Sequence, residues 1–127
     1  MARSILLVDD DADIRNSLRE LLTGEGFVVH TANDGQHALQ MLERIVLPGL
    51  ILLDYKMPEM DGKQFLAAMR RNARWQAIPV VILSAATREW SGARLEVTDV
   101  LTKPVDIDLL LSTVRAICGE GVEQRPA

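Results

Sequence analysis

"ILLDYKMPEMDG", residues 51–62, sets three aliphatic side chains ahead of Asp54 and a turn-rich segment behind it. A short apolar run bounded by turn formers is the pattern of a strand buried on both faces, as in a parallel sheet covered by helices. Asp54 then stands at the strand's C-terminal end, the edge where parallel α/β sheets gather their ligand sites. From this segment alone, a plain turn or cap aspartate is an equally good reading, since Asp is common after strands.

The same pattern occurs upstream in "ILLVDDDADI", where the apolar run Ile5 to Val8 ends in Asp9, Asp10 and Asp11. Adjacent carboxylates raise each other's pKa unless a cation or solvent screens them. Asp11 or Asp13 has an ordinary task available as the N-cap of a helix starting near Ile14. Asp9 and Asp10 are harder to dismiss in this way, and two strands now deliver acids to one edge.

Outward from these segments the chain alternates strand and helix. Ile14, Leu18, Leu21 and Leu22 lie at helical spacing, and "GEG" at 24–26 stops that helix. "FVVHTA" from Phe27 reads as a second strand. Ala38, Leu39, Met41 and Leu42 mark a second helix, ended before Pro48, and "LILLD" is strand three. Phe65, Leu66 and Met69 give a third helix, and "IPVVILSA" a fourth strand with Pro79 confined to its start. "DVLT" is a short fifth strand, and Leu109, Leu110, Val114 and Ile117 define a last amphipathic helix. The tail "GEGVEQRPA" has no periodicity, so the expected division is one domain over 1–120 and a disordered tail or linker stub over 121–127.

The bulk numbers exclude several classes. At 127 residues, 48% hydrophobic and 25% charged, the chain has the makings of one ordinary domain with a core of its own. A single cysteine, Cys118, rules out an internal disulfide, and with His30 and His37 it makes no metal quartet; Cys118 is expected to pack as a small hydrophobe. The histidines are expected at the surface or at strand ends. No leader or spanning segment is evident, so a cytoplasmic protein without membrane contact is expected. A net charge of −4 argues against nucleic-acid binding, which needs a basic face. The one basic cluster, "RRNAR" at 70–74, reads as the solvated C-terminal turn of a helix.

Alternating strands and helices imply right-handed crossovers and a doubly wound parallel sheet of the α/β class, whose compact five-strand order is 2-1-3-4-5. That order makes strands one and three neighbours, so Asp9, Asp10 and Asp54 converge; Ser84 and Lys103 join them from the ends of strands four and five. Each type has a task in phosphoryl transfer. Mg2+ prefers oxygen ligands and needs few from the protein, which Asp9 or Asp10 with Asp54 could supply. Lys103 can neutralise phosphoryl oxygens, Ser84 can donate to one, and a carboxylate remains to attack phosphorus.

With the acid pair Asp9 and Asp10, "DYKMPEMDG", "LSA" at 83–85 and "TKP" at 102–104, the chain resembles the receiver domains of two-component response regulators from about Arg3 to Cys118. The resemblance implies a flavodoxin-like fold with Asp54 as phosphoacceptor, Asp9 and Asp10 as Mg2+ ligands beside Asp54, and the Lys56 carbonyl completing the protein's share of the metal. It also implies that Ser84 and Lys103 contact the phosphoryl group, that Lys103–Pro104 is cis, and that the domain catalyses only its own phosphorylation and dephosphorylation. The implied partners are a histidine kinase or phosphotransfer protein and a downstream target or output domain. Two other readings are open: a receiver-shaped module that works without phosphorylation, and a haloacid-dehalogenase-like phosphatase using Asp9, in which Asp13 stands at a Thr/Val position. The segment between Ser84 and Lys103 departs from the family, being about a turn shorter, with Val100 where many receivers carry an aromatic. A short or irregular fourth helix and signalling through the loop carrying Trp90 are therefore expected. Ala86 and Lys56, which flank the water route in such domains, imply a slowly decaying phosphoryl group.

Overall fold

The computed structural model describes residues 4–55, 57, 60–85 and 97–119. They form five parallel strands, β1 (Ser4–Val8), β2 (Val28–Ala32), β3 (Leu50–Asp54), β4 (Val80–Ser84) and β5 (Asp99–Thr102), in the order 2-1-3-4-5. The described helices are α1 (Ala12–Gly24), α2 (Gly35–Arg44), α3 (Gly62–Arg70) and α4 (Ile107–Cys118). The doubly wound α/β sheet expected from the sequence is the one found. The expected irregular helix, with Ala86 and Trp90, falls in 86–96; it lies outside the described residues, as do Lys56 and the tail at 121–127.

The strands show why they are apolar on both faces. Alternate side chains of β1 enter different cores: Leu6 and Val8 join Ala38 and Leu42 of α2 and Phe65 and Met69 of α3. Ile5 and Leu7 join Leu18 and Leu22 of α1 and Leu110 and Val114 of α4. β3 and β4 divide likewise, and every residue of both is buried. Each such aliphatic side chain contributes roughly 1.5–3 kcal/mol when fully buried. Cys118 packs into the α1/α4 core, 5% exposed, as a small hydrophobe should.

All four described helices start from an aspartate N-cap: Asp11, Asp34, Asp61 and Asp106. Asp11 accepts from the N–H groups of Asp13 and Ile14, which settles the third acid of the Asp9–Asp11 run as a cap. Asp61 and Gln64 form a reciprocal capping box. At its other end α1 stops at Gly24, with Gly26 at φ +99°, as "GEG" foretells.

Two details differ from expectation. Only the start of "RRNAR" belongs to a helix end: Arg70 closes α3, and 72–74 run on in turns that bring Trp75 into the core, 5% exposed. His30 lies in the middle of β2 and not at its end, and is half-exposed at the surface because that strand is only half covered.

Candidate functional site

The parallel ladder runs one residue past three strands. Asp9 N–H donates to the Ala32 carbonyl at 3.1 Å, Tyr55 N–H to Leu83 at 3.0 Å, and Lys103 N–H to Ser84 at 2.7 Å. The backbone beneath Asp9, Asp54 and Lys103 is thus as fixed as the sheet itself. Among the described residues the buried polar or charged ones are Asp9, Asp54 and Ser84, and all three lie at this edge. Carboxylates are rarely buried without a partner or an ion, which marks the edge as a site.

Asp9, Asp10 and Asp54 each offer an oxygen within 4.8 Å of the others. Lys103 Nζ lies 3.1 Å from Asp54 Oδ1 and 3.6 Å from Asp9 Oδ2. One ammonium therefore pairs with two members of a cluster of three carboxylates. Asp9 Oδ1 accepts the Asp11 N–H at 2.9 Å, but its buried Oδ2 has no hydrogen-bond partner among the described residues. Ser84 ends β4 opposite Thr102, one step beyond the Asp54–Leu83 pair. Lys103–Pro104 is cis. Lys56, the remaining implied ligand, lies outside the described residues.

The electrostatics follow from this packing. Burial, then the Asp9 charge, push the Asp54 carboxyl up to about 7, against the opposing pull of Lys103. Burial would lower Lys103, but the charges of Asp54 and Asp9 outweigh it and hold its ammonium above the ordinary lysine value. The site carries excess negative charge, hard oxygen donors and a buried carboxylate oxygen that has an ion pair but no hydrogen bond among the described residues. Those are the features a hard divalent cation such as Mg2+ satisfies.

Two residues that sequence alone does not single out hold the site in shape. Arg15 Nη1 donates to the main-chain carbonyl of Asp9 at 2.8 Å, tying α1 to the turn that carries the acid pair. The sole hint was its place one turn into an amphipathic helix. Gly62 N–H donates to the Tyr55 carbonyl at 2.7 Å, and a Cβ there would meet Tyr55 Cα at 3.0 Å. Its signal was the Asp-Gly pair after the strand.

A doubly wound sheet with an acid-lined crevice at its switch point, answered by a lysine from the last strand, defines the receiver class. The chain belongs to that family: the "Response regulator receiver domain" model matches residues 5–115. It is 40% identical over 116 residues to the transcriptional regulatory protein CpxR of Escherichia coli, covering 89% of this chain and 48% of that one. The chain thus spans about half of that regulator's length. Among solved structures it superposes on the chemotaxis protein CheY4 of Vibrio cholerae with a TM-score of 0.82 and 29% identity, covering 92% of this chain and 99% of that one. For the receiver domain of the sensor histidine kinase PA1611 of Pseudomonas aeruginosa, which has a magnesium ion coordinated in its active-site cleft, the TM-score is 0.83 at 25% identity, covering 94% of this chain and all of the other. Membership gives the chain a role in two-component signalling, in a family that signals and is not a class of metabolic enzyme; magnesium and phosphorylation are general features of that family.

Proposed function

We propose that the domain is a phosphorylation-dependent switch in which Asp54 accepts a phosphoryl group from a histidine kinase or phosphotransfer protein. The observation that carries this reading is the buried Asp54 carboxylate at the end of β3, clustered with Asp9 and Asp10 and paired with Lys103. An Asp54 oxygen attacks phosphorus of a donor phosphohistidine; the P–O bond forms as the P–N bond breaks, and its electron pair leaves on the imidazole nitrogen. Lys103 stays within reach to neutralise a phosphoryl oxygen, and the Ser84 hydroxyl donates to another. Asp9, Asp10 and Asp54, with the Lys56 carbonyl implied by the family likeness, are the residues to hold Mg2+, which supplies positive charge against the carboxylates and the incoming phosphoryl oxygens.

A hollow of about 310 Å3 opens beside Lys103 between α1 and the turn into α4, lined by Ile14, Leu18, Pro104, Val105 and Ile107. Ile14 and Ile107 are exposed there, which gives a donor protein an apolar footing next to the reacting groups. In this reading residues 1–120 form the receiver, 121–127 a tail or linker stub, and the protein works in the cytoplasm; among the described residues no helix is long and apolar enough to cross a membrane. The phosphorylated surface acts on a target protein or output domain.

Incubation with Mg2+ and acetyl phosphate, followed by intact-mass measurement, tests the reading. A single acid-labile phosphoryl adduct is expected in the wild type and none in Asp54→Ala. An adduct that persists in Asp54→Ala would overturn the assignment of Asp54. An unmodified wild type that still binds Mg2+ would favour a module working without phosphorylation.

A further inference from the structure

The basic cluster at 70–74 is not absorbed by this function. The helices run back against the strands, so the C-terminal ends of α2 and α3 lie at the sheet edge opposite the acid cluster. Between them is an open groove of about 650 Å3 whose lining includes Leu39 and Ala68, with Arg71 and Glu43 on its rim and Trp75 at its base. Trp75 is 95% buried, and its indole N–H has no acceptor among the described residues. A buried donor without a partner costs about 1–3 kcal/mol and calls for an explanation. Arg74 covers the ring, its guanidinium 5.4 Å from the centroid, and reaches across to Glu43 at 3.1 Å. Both members of that pair are more than half exposed, so the cover is held weakly. Arg71 is exposed and has no ion pair among the described residues.

We propose that this groove docks an extended acidic segment of a partner protein. A carboxylate of the segment takes Glu43's place on Arg74, a second pairs with Arg71, and the move of Arg74 changes the cover over the Trp75 ring. Apolar side chains of the segment rest on Leu39 and Ala68. The occupant is peptide and not nucleic acid, because Arg71 and Arg74 match two carboxylates of a short segment but do not make the extended basic face that a phosphate backbone needs. An open groove with an apolar floor and a cationic rim suits a strand of alternating acidic and apolar residues.

The test is titration of the 15N-labelled Trp90→Phe protein, whose remaining indole signal is that of Trp75, with a short synthetic peptide alternating glutamate and leucine. A saturable shift of the Trp75 indole proton is expected, as the cation over its ring moves. Glu43→Gln, which frees Arg74, should tighten binding several-fold. The double variant Arg71→Glu, Arg74→Glu should weaken it about 10-fold or more, as loss of charge-assisted contacts predicts. All three positions are exposed, so the fold survives the changes. No saturable shift at millimolar peptide overturns the proposal. So does equal binding of a lysine–leucine peptide, indifference to the arginine variants, or saturation by succinate alone, which would make the groove a small-anion site.

Discussion

Asp54 is where burial and chemistry pull against each other. Its carboxyl titrates near 7 in the folded chain against 3.8 for a free side chain, with burial as the first cause and Asp9 as the second. Between those values the folded state holds a proton the unfolded state has released, so stability falls as pH rises through that window. Metal-free protein is therefore expected to lose stability from pH 5 to pH 8, and Asp54→Asn to flatten the profile and gain on the order of 2 kcal/mol at pH 8. Urea unfolding in EDTA and in Mg2+ measures both; Mg2+ should restore the wild type at pH 8 and stabilise the variant less, since only Asp9 and Asp10 of the acid cluster remain there. A wild type equally stable at both pH values would disprove the placement of Asp54's charge. Lys103 offers a companion test, because its ammonium competes with a divalent cation for Asp54 and Asp9. Lys103→Met should tighten Mg2+ binding in calorimetry while cutting the yield of phosphorylation by acetyl phosphate roughly 10-fold or more. At this scale the acids were legible because two apolar runs end in carboxylates and the expected strand order brings those two ends together. The clamp from Arg15 to the Asp9 carbonyl was not, since a main-chain acceptor leaves no trace in residue types.

The elements were read from periodicity, and their ends from caps and glycines, but two glycines of the same letter do opposite things. Gly62 starts α3 pressed on Tyr55, where an added Cβ would meet Tyr55 Cα at 3.0 Å and its carbonyl oxygen at 3.1 Å, backbone atoms with no rotamer to escape by. Gly24, in the last turn of α1, would put a Cβ into open space. Gly62→Ala is expected to destabilise by roughly 1–3 kcal/mol and to slow phosphorylation by shifting the residue next to Asp54. Gly24→Ala should stabilise by up to about 1 kcal/mol without touching the reaction. Shifts of the urea midpoint, with phosphorylation rates alongside, separate the two; equal effects at both positions would mean that the close approach to Tyr55 carries no constraint. Sequence shows both as glycines beside a helix and cannot tell which one faces a backbone, because that depends on how the helix docks.

At the scale of the whole molecule, strand order was legible because compactness and right-handed crossovers leave few arrangements for five parallel strands. The turns at 71–78 were not: they bury Trp75 between α2 and α3, and no local pattern foretells how an irregular connection lies. The apolar hollow beside Lys103 is likewise visible only once α1 and the turn into α4 meet. Ile107→Asp is expected to slow phosphoryl transfer from a protein donor while leaving acetyl phosphate as effective as before; equal slowing with both donors would make Ile107 a structural residue only. The shared core of α1 and α4 has a further consequence for biosynthesis. Ile5 and Leu7, near the start of the chain, belong to one apolar cluster with Leu110, Val114 and Cys118, and an ion pair joins Glu25 to Arg115. A nascent chain leaving the ribosome therefore exposes one face of β1 until residues near Cys118 have cleared the exit tunnel, so the domain completes folding only after nearly all of it has emerged.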